Sequence, residues 1–484
     1  MTDYVSTLGG IQPVSFDTAI LDGKAADGGL YVPTELPAIS INQLKKWQQL
    51  PYLELAIEIL SLFICEKIIP SHALRKITVD SFRNFQNAVV IPHKELGTSD
   101  TIIIQELFHG PTLSFKDIAM GFVLNIFDHL LEKKSGTVTI MVATSGDTGP
   151  AAAHATFGKS SIDTWLLYPA GLITEEQRRQ MTTLNESNIH SIGVHKCRDG
   201  SDDLDKIIAY LFADESFRKE LNLSSVNSIN WGRVLFQMVH YFYGYLQNVE
   251  CIGEPVDFSV PTGAFGNLCA GSLARMMGLP IDQFIIANNQ NACLANAFST
   301  GTLIKQPVKN CPSSALDISL PINFWRHLYF ATGQNGKKIQ GWMDAFETSG
   351  RVKFEKEIHD KFSKGFSSCI VSDENTFQII NEIYETEGYL MDPHAAVSLA
   401  AAREINGRTN KKTICLATAH PAKFPDVIRQ ALPNLPHPLA QATHPTIERE
   451  KKIAEHGYHC HFSDMYTFIP SIMRTNKFKF QSIN

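Results

Sequence analysis

"TIIIQELFHGPTLSFKDIAMGFVLNIFDHLLEKK" (101–134) sets the architecture of the chain. Its first seven residues, Thr101 to Leu107, form a short run led by the β-branched Thr101, Ile102, Ile103 and Ile104, the mark of a buried strand. A His109-Gly110-Pro111 turn follows. Phe115, Ala119, Phe122, Ile126 and Leu130 then recur at helical spacing. The same strand, polar loop and helix return downstream. "TVTIMVA" (137–143) leads through "TSGDTG" into "PAAAHAT", with Pro150 in the first helical turn. "TWLLYPAG" (164–171) is a further strand and turn. "DFSV" (257–260) leads through "PTGAFGN" into "LCAGSLARMMG", and "KTICLA" leads through "TAHPAKF" into "PDVIRQAL".

Strands alternating with helices predict an α/β fold with open parallel sheets. In such folds ligands sit beyond the carboxyl ends of the strands. Four polar loops are therefore expected around one site: 108–116, 144–149, 261–267 and 418–423. Residues 1–95 mix loops and helix, with the turn-rich "AADGGLYVPTELP" and the helical "LPYLELAIEILSLFI", and are expected to form an N-terminal cap. The expected division is a cap at 1–95, an α/β lobe at 96–245 with Lys116 and the TSGDTG loop, and a second at 246–484 with the PTGAFGN and ATAHPAKF loops.

Bulk properties narrow the function. The 484 residues are 44% hydrophobic and 19% charged, enough for a large buried core. A net charge of −6 gives no support to nucleic-acid binding or a polybasic membrane patch. The nine cysteines are scattered without a C-x-x-C pair, which argues against a disulfide framework or a thiolate zinc site. "MTDYVSTLGG" lacks the basic and apolar regions of a secretory signal, and no apolar run is long enough for a membrane span. The expected location is the cytoplasm. "HGYHCH" gathers His456, His459, Cys460 and His461, but the spacing fits no standard metal site, and no metal is expected.

Lys116 stands between apolar residues just after the Gly-Pro turn. Such a lysine either snorkels to the surface or carries chemistry as a partly neutral, Schiff-base-forming amine. The glycine turns have two readings as well. Gly263 and Gly266 serve strand-to-helix geometry, or they let backbone N–H groups and a helix end hold a phosphate. "TSGDTG" adds the hydroxyls of Thr144, Ser145 and Thr148 to the same design. Nucleoside-triphosphatase and dinucleotide glycine motifs are absent. Two anion loops plus a lysine point to a phosphate-bearing aldehyde, pyridoxal phosphate.

Taken in order, "FHGPTLSFKD", "ATSGDTGPAA", "SVNSINWGRVLFQMVHYFY", "VPTGAFGN", "DPHAAV" and "ATAHPAKFP" resemble the threonine synthase family of fold-type-II pyridoxal-phosphate enzymes. The likeness begins at "YVSTLGG" and covers most of the chain. It implies two open parallel-sheet lobes, with Lys116 as the Schiff-base and catalytic lysine. Gly263, Ala264, Phe265, Gly266 and Asn267 would hold the cofactor phosphate, and Thr418 would face the pyridine nitrogen. Thr144, Ser145, Asp147 and Thr148 would line the cofactor and receive the substrate carboxylate. Asn227, Ser228 and Arg233 would take the substrate phosphate. Other readings stay open: Asn227 and Ser228 as caps of the following helix, Arg233 as the partner of a surface carboxylate. Lys423 reaches the substrate phosphate or only closes a helix N-terminus. Ala292 and Leu316 depart from the acidic residue and methionine usual in the family.

The implied reaction converts O-phospho-L-homoserine and water to L-threonine and phosphate through aldimine chemistry, γ-elimination followed by β-addition of water. The alternatives are a related phospho-lyase that yields a keto acid, ammonia and phosphate, and a non-catalytic anion sensor on the same fold. The expected assembly is a monomer or weak homodimer acting on a small molecule.

Overall fold

A computed structural model describes residues 2–97, 101–409 and 411–481. Two parallel-rich sheets dominate it. The first has six strands: His93–Glu95 (β1), Ile102–Glu106 (β2), Val256–Pro261 (β7), Ile281–Asn288 (β8), Phe366–Ile370 (β9) and Thr413–Ala417 (β10). The second has five: Val138–Ala143 (β3), Ile162–Pro169 (β4), Ile189–His195 (β5), Leu223–Ser224 (β6) and Tyr458–His461 (β11). The six-stranded order is β9-β8-β7-β10-β2-β1, with only β1 antiparallel. The five-stranded order is β11-β5-β4-β3-β6, parallel throughout.

Each sheet reverses its strand order once. In the six-stranded sheet β7, β8 and β9 step outward one way, while β10 lies on the other side of β7. In the five-stranded sheet β3, β4 and β5 step one way and β6 lies on the other side of β3. Such reversals open a crevice at the carboxyl ends of the two strands concerned. The loops leaving β7 and β10 are PTGAFGN and TAHPAKF. Those leaving β3 and β6 are TSGDTG and the "SVNSIN" segment. Both crevices supply the same cavity.

The sheets do not follow the division expected at 245/246. β2, which leads to Lys116, pairs with β10, and β11 joins β5 in the other sheet. β1 pairs with β2 across the expected boundary at 95. Parallel partners lie far apart in sequence, so local composition carries no sign of which sheet a strand joins.

The helix Trp231–Asn248 is buried along most of its length. The N-terminal segment packs on it through rings: Tyr4 and Phe63 meet Trp231, and Trp47 meets Phe242 edge-on at 6.0 Å. No helix among the described residues is long and apolar enough to cross a membrane. In "HGYHCH", strand alternation buries Cys460 and leaves His459 and His461 together on the exposed face of β11. His459 Nδ1 lies 3.1 Å from His195 Nε2 on β5. Among the described residues, no group of three or more His, Cys, Asp or Glu side chains could hold a metal ion.

Candidate active site

Lys116 opens the helix Lys116–Lys134, its amide donating to Ser114 Oγ at 3.3 Å. The side chain faces the cavity, with Nζ 4.3 Å from the Phe115 ring centroid. Protein surrounds it on the other sides. Burial first, and then the Arg233 charge, lower its pKa from 10.5 to about 7, with Asp147 opposing. A neutral amine near neutrality is a nucleophile and a base. The snorkelling alternative does not describe this lysine.

Its position is fixed by main chain. Phe115 N–H donates to the Thr418 carbonyl at 2.8 Å, and His420 N–H donates to the Leu113 carbonyl at 3.0 Å. Thr418 therefore lies beside Lys116, buried and lining the cavity.

The PTGAFGN loop is shaped by two residues. A Cβ on Gly263 would lie 3.0 Å from the Ala315 carbonyl oxygen and 3.2 Å from Leu316 Cα, so any side chain there would push these two segments apart by a few tenths of an ångström. Phe265 adopts φ 64°, a left-handed conformation that side chains disfavour. Its ring stacks on Phe298 at 6.0 Å, which holds the strained turn in place. The helix Gly266–Met276 begins directly after it. Among the described residues, no backbone N–H of 263–267 donates to a protein acceptor. Asn267 adds a directed donor. Its Oδ1 receives bonds from His240 Nε2 at 2.8 Å and Tyr241 OH at 2.9 Å, which leaves Nδ2 buried and unpartnered. Free N–H groups at a helix N-terminus beside a reactive amine fit a phosphorylated aldehyde.

The opposite wall comes from the five-stranded sheet. Ser145, Asp147 and Thr148 line the cavity at the start of the helix Thr148–Thr156. Thr144 does not line it. Its Oγ1 accepts from Gly146 N and Gly149 N, both at 3.0 Å, and shapes the loop from within. Lys423 also lies outside the lining. Fully buried, it pairs with Asp147 at 2.8 Å and donates to the Thr112 carbonyl at 2.9 Å. It neither closes a helix nor points at the site, because Asp147 claims its charge. Burial works against ionising Asp147, yet Lys423 prevails and its pKa is lowered.

Asn227, Ser228 and Arg233 line the cavity. The helix behind them is capped by Asn230, whose Oδ1 accepts from Gly232 N at 3.0 Å, so Asn227 and Ser228 are not its caps. Arg233 is only 2% exposed. Its Nη1 donates to the Val226 carbonyl at 3.0 Å, and Nε has no partner. Among the described residues, no carboxylate lies in ion-pair range, which rules out the surface-pair reading. Burial lowers its pKa to about 10, so it stays charged.

Several lining residues escaped the sequence reading: Gln237, His394, Ser201 and Asp205. His394 Nδ1 contacts Asp392 Oδ1 at 2.7 Å, and its Nε2 accepts from Ala315 N at 3.1 Å. That bond fixes the Ala315-Leu316 wall. "DPHAAV" was visible as a stretch without an assigned role. Gln237 had a usable signal, since it follows Arg233 by four residues on one helix face.

Comparisons with known proteins agree with this geometry. Residues 3–82 match the family "Threonine synthase N terminus", 89–418 "Pyridoxal-phosphate dependent enzyme" and 395–458 "Threonine synthase, C-terminal". A threonine synthase from Pseudomonas aeruginosa is 39% identical over 93% of this chain and 94% of its own. A threonine synthase-like 2 from Xenopus laevis is 36% identical over 94% of each. The crystal structure of a PLP-bound threonine synthase from Brucella melitensis superimposes with a TM-score of 0.89 at 34% identity, covering 98% of this chain and 99% of that one. With a buried amine, a free N–H cradle and an unpaired arginine around one cavity, and with these matches from end to end, the chain belongs to the threonine synthase family of pyridoxal-phosphate dependent enzymes.

Proposed function

We propose that the enzyme converts O-phospho-L-homoserine and water to L-threonine and phosphate, with pyridoxal phosphate as cofactor. Arg233 carries this reading: a buried guanidinium with an unpartnered Nε and, among the described residues, no carboxylate in ion-pair range, in the same cavity as Lys116. Such a charge calls for an anionic ligand, and a phosphate monoester matches it in charge and geometry. The N–H cradle at 263–267 is a second anion position. Two anion positions flanking one amine suit a phosphorylated cofactor and a phosphorylated substrate together.

When bound, pyridoxal phosphate supplies the electron sink for bond changes along the substrate carbons. Lys116 would hold its aldehyde carbon, Gly263, Ala264, Phe265, Gly266 and Asn267 its phosphate, and Thr418 would face its ring nitrogen. A threonine hydroxyl there, unlike a carboxylate, leaves that nitrogen unprotonated. The Lys116 amine would take the proton from Cα and later serve Cβ. Its lowered pKa supports that role. Arg233, Asn227 and Ser228 bind the phosphate that leaves Cγ. Ser145 and Thr148, at a helix N-terminus, receive the substrate carboxylate. Thr144, Asp147 and Lys423 hold that wall in position. Nine cysteines with no disulfide among the described residues suit a reducing compartment such as the cytoplasm.

The test is an absorbance spectrum of the purified protein with O-phospho-L-homoserine, quantifying phosphate, threonine and keto acid together. A visible cofactor band with threonine equal to phosphate is expected. Keto acid in place of threonine would move the assignment to a phospho-lyase, and a colourless chain that cannot be reconstituted would remove both. Arg233→Met is expected to keep the band and lower kcat/KM by about 10²-fold, from loss of a buried charged contact.

A further inference from the structure

The helix Trp231–Asn248 carries Arg233, Gln237 and His240 at i, i+4 and i+7, one polar stripe on an otherwise apolar and aromatic buried helix. Arg233 faces the anion position, and His240 holds Asn267. Gln237 has no role in either. It is 3% exposed and lines the cavity. Its Nε2 donates to the Arg233 carbonyl at 2.6 Å, while Oε1 is buried without a partner. Reversing the amide would set two oxygens 2.6 Å apart, so the carbonyl is the end left for a ligand. Asn227 Oδ1 is unpartnered as well, but its Nδ2 contact with the Ala143 carbonyl is 3.4 Å, too weak to pin that amide.

A buried carbonyl oxygen needs a hydrogen-bond donor. The reaction proposed above offers few. Phosphate oxygens are acceptors, and the substrate amine is occupied at the cofactor. What remains is water, which becomes the hydroxyl of the product. We propose that Gln237 Oε1 binds the water consumed in the reaction and sets the direction from which it adds. The inference rests on the synthase reading. The water oxygen forms the bond to Cβ with its lone pair as the Cα–Cβ double bond left by loss of phosphate breaks, its electron pair moving to Cα; one O–H bond breaks, and that proton passes through the neutral Lys116 amine to Cα. Oε1 keeps the second O–H. Gln237 is thus a positioning residue and not the base.

The test is the product ratio of the holoenzyme. Wild type should give one threonine per phosphate. Gln237→Met keeps the shape and removes the acceptor. It should still bind cofactor and release phosphate, but the threonine-to-phosphate ratio should fall about fivefold or more, the rest appearing as a four-carbon keto acid. A ratio that stays at one, whatever the rate, overturns the proposal. If the Met variant does not hold cofactor, Gln237→Glu decides. It retains an acceptor and should keep the ratio near one, and a ratio below one half overturns the role. A crystal structure of the wild-type holoenzyme provides an activity-free reading. An ordered water on Oε1 supports the proposal, and a protein or cofactor donor there overturns it. Wild type forming no threonine would refute the synthase reading itself, whereas threonine from wild type with an unchanged Met variant refutes only the water site.

Discussion

On the six-stranded side of the cavity, the chain around Lys116 is joined to the Thr418 loop by main chain: Leu107 N–H to the Ala417 carbonyl at 2.9 Å, Phe115 N–H to Thr418 and His420 N–H to Leu113. On the five-stranded side, the loops reach across by side chains: Asp147 to Lys423 at 2.8 Å, Gln180 Nε2 to the Thr112 carbonyl at 3.3 Å, and Asp202 to Ser319, whose N–H donates at 3.1 Å. Main-chain bonds survive any side-chain substitution except proline. The cofactor wall is therefore insensitive to single changes outside its functional groups, while the substrate wall depends on a few named side chains. The wall that holds a permanent ligand is fixed, and the wall that must admit and release a substrate is fastened at points.

Four expectations probe that contrast. Lys116→Ala should leave the main-chain straps intact and the fold unchanged, yet lower turnover by more than about 10³-fold and remove the lysine-bound cofactor band. A large loss of thermal stability in this variant would mean that the cofactor wall also leans on side chains. Lys423→Met strikes the strongest fastening of the other wall. It leaves Asp147 as a buried uncompensated carboxylate and should destabilise the protein by about 3–5 kcal/mol. Urea unfolding measures this, and adding Asp147→Asn should recover much of the loss.

The third expectation concerns pH. The folded chain holds the Lys116 pKa at about 7 against an ordinary 10.5. Between those values the unfolded chain binds more protons, so the cofactor-free protein gains stability as pH rises through that window. Reconstitution with pyridoxal phosphate should accelerate about tenfold per pH unit below 7 and level off above it. An acceleration continuing to pH 10 would mean that the amine is not held neutral by its surroundings. The smallest effect is expected for Ser319→Ala, which removes one hydroxyl from the Asp202 contact. KM should rise two- to tenfold, roughly the worth of one hydrogen bond, with the cofactor spectrum unchanged.

Much of this was readable from the sequence where the signal is local. Strands 101–107, 137–143 and 164–171 announce themselves by β-branching and length, and the four loops follow from their carboxyl ends. Lys116 was conspicuous because an amine between apolar residues is unusual. The pairing of β2 with β10 was hidden, because register between distant parallel strands leaves no local mark. Lys423 was ambiguous for a similar reason: its partner, Asp147, is 276 positions away in the chain and belongs to the other sheet's loop. Gln237 was legible in principle from its spacing to Arg233, but the aromatic residues around it drew the eye to packing. The histidines at 456–461 show the converse. There a run of histidines spans an edge strand, with His459 and His461 on its exposed face and Cys460 on its buried one.

The late arrival of β10 and β11 has a consequence for biosynthesis. β10 is inserted between β7 and β2, and β11 closes the edge beside β5, with His459 separated from its neighbour His195 by 264 positions. A ribosome adding about 5–20 residues per second needs roughly 10–50 s to cover that interval. For that time the emerging chain exposes the open edge of β5, and between the making of β7 and of β10 also a gap in the middle of the other sheet, the surfaces to which other unfinished chains adhere. The six-stranded sheet is completed by β10, and the five-stranded sheet only later by β11. Both surfaces close only when these two strands are added.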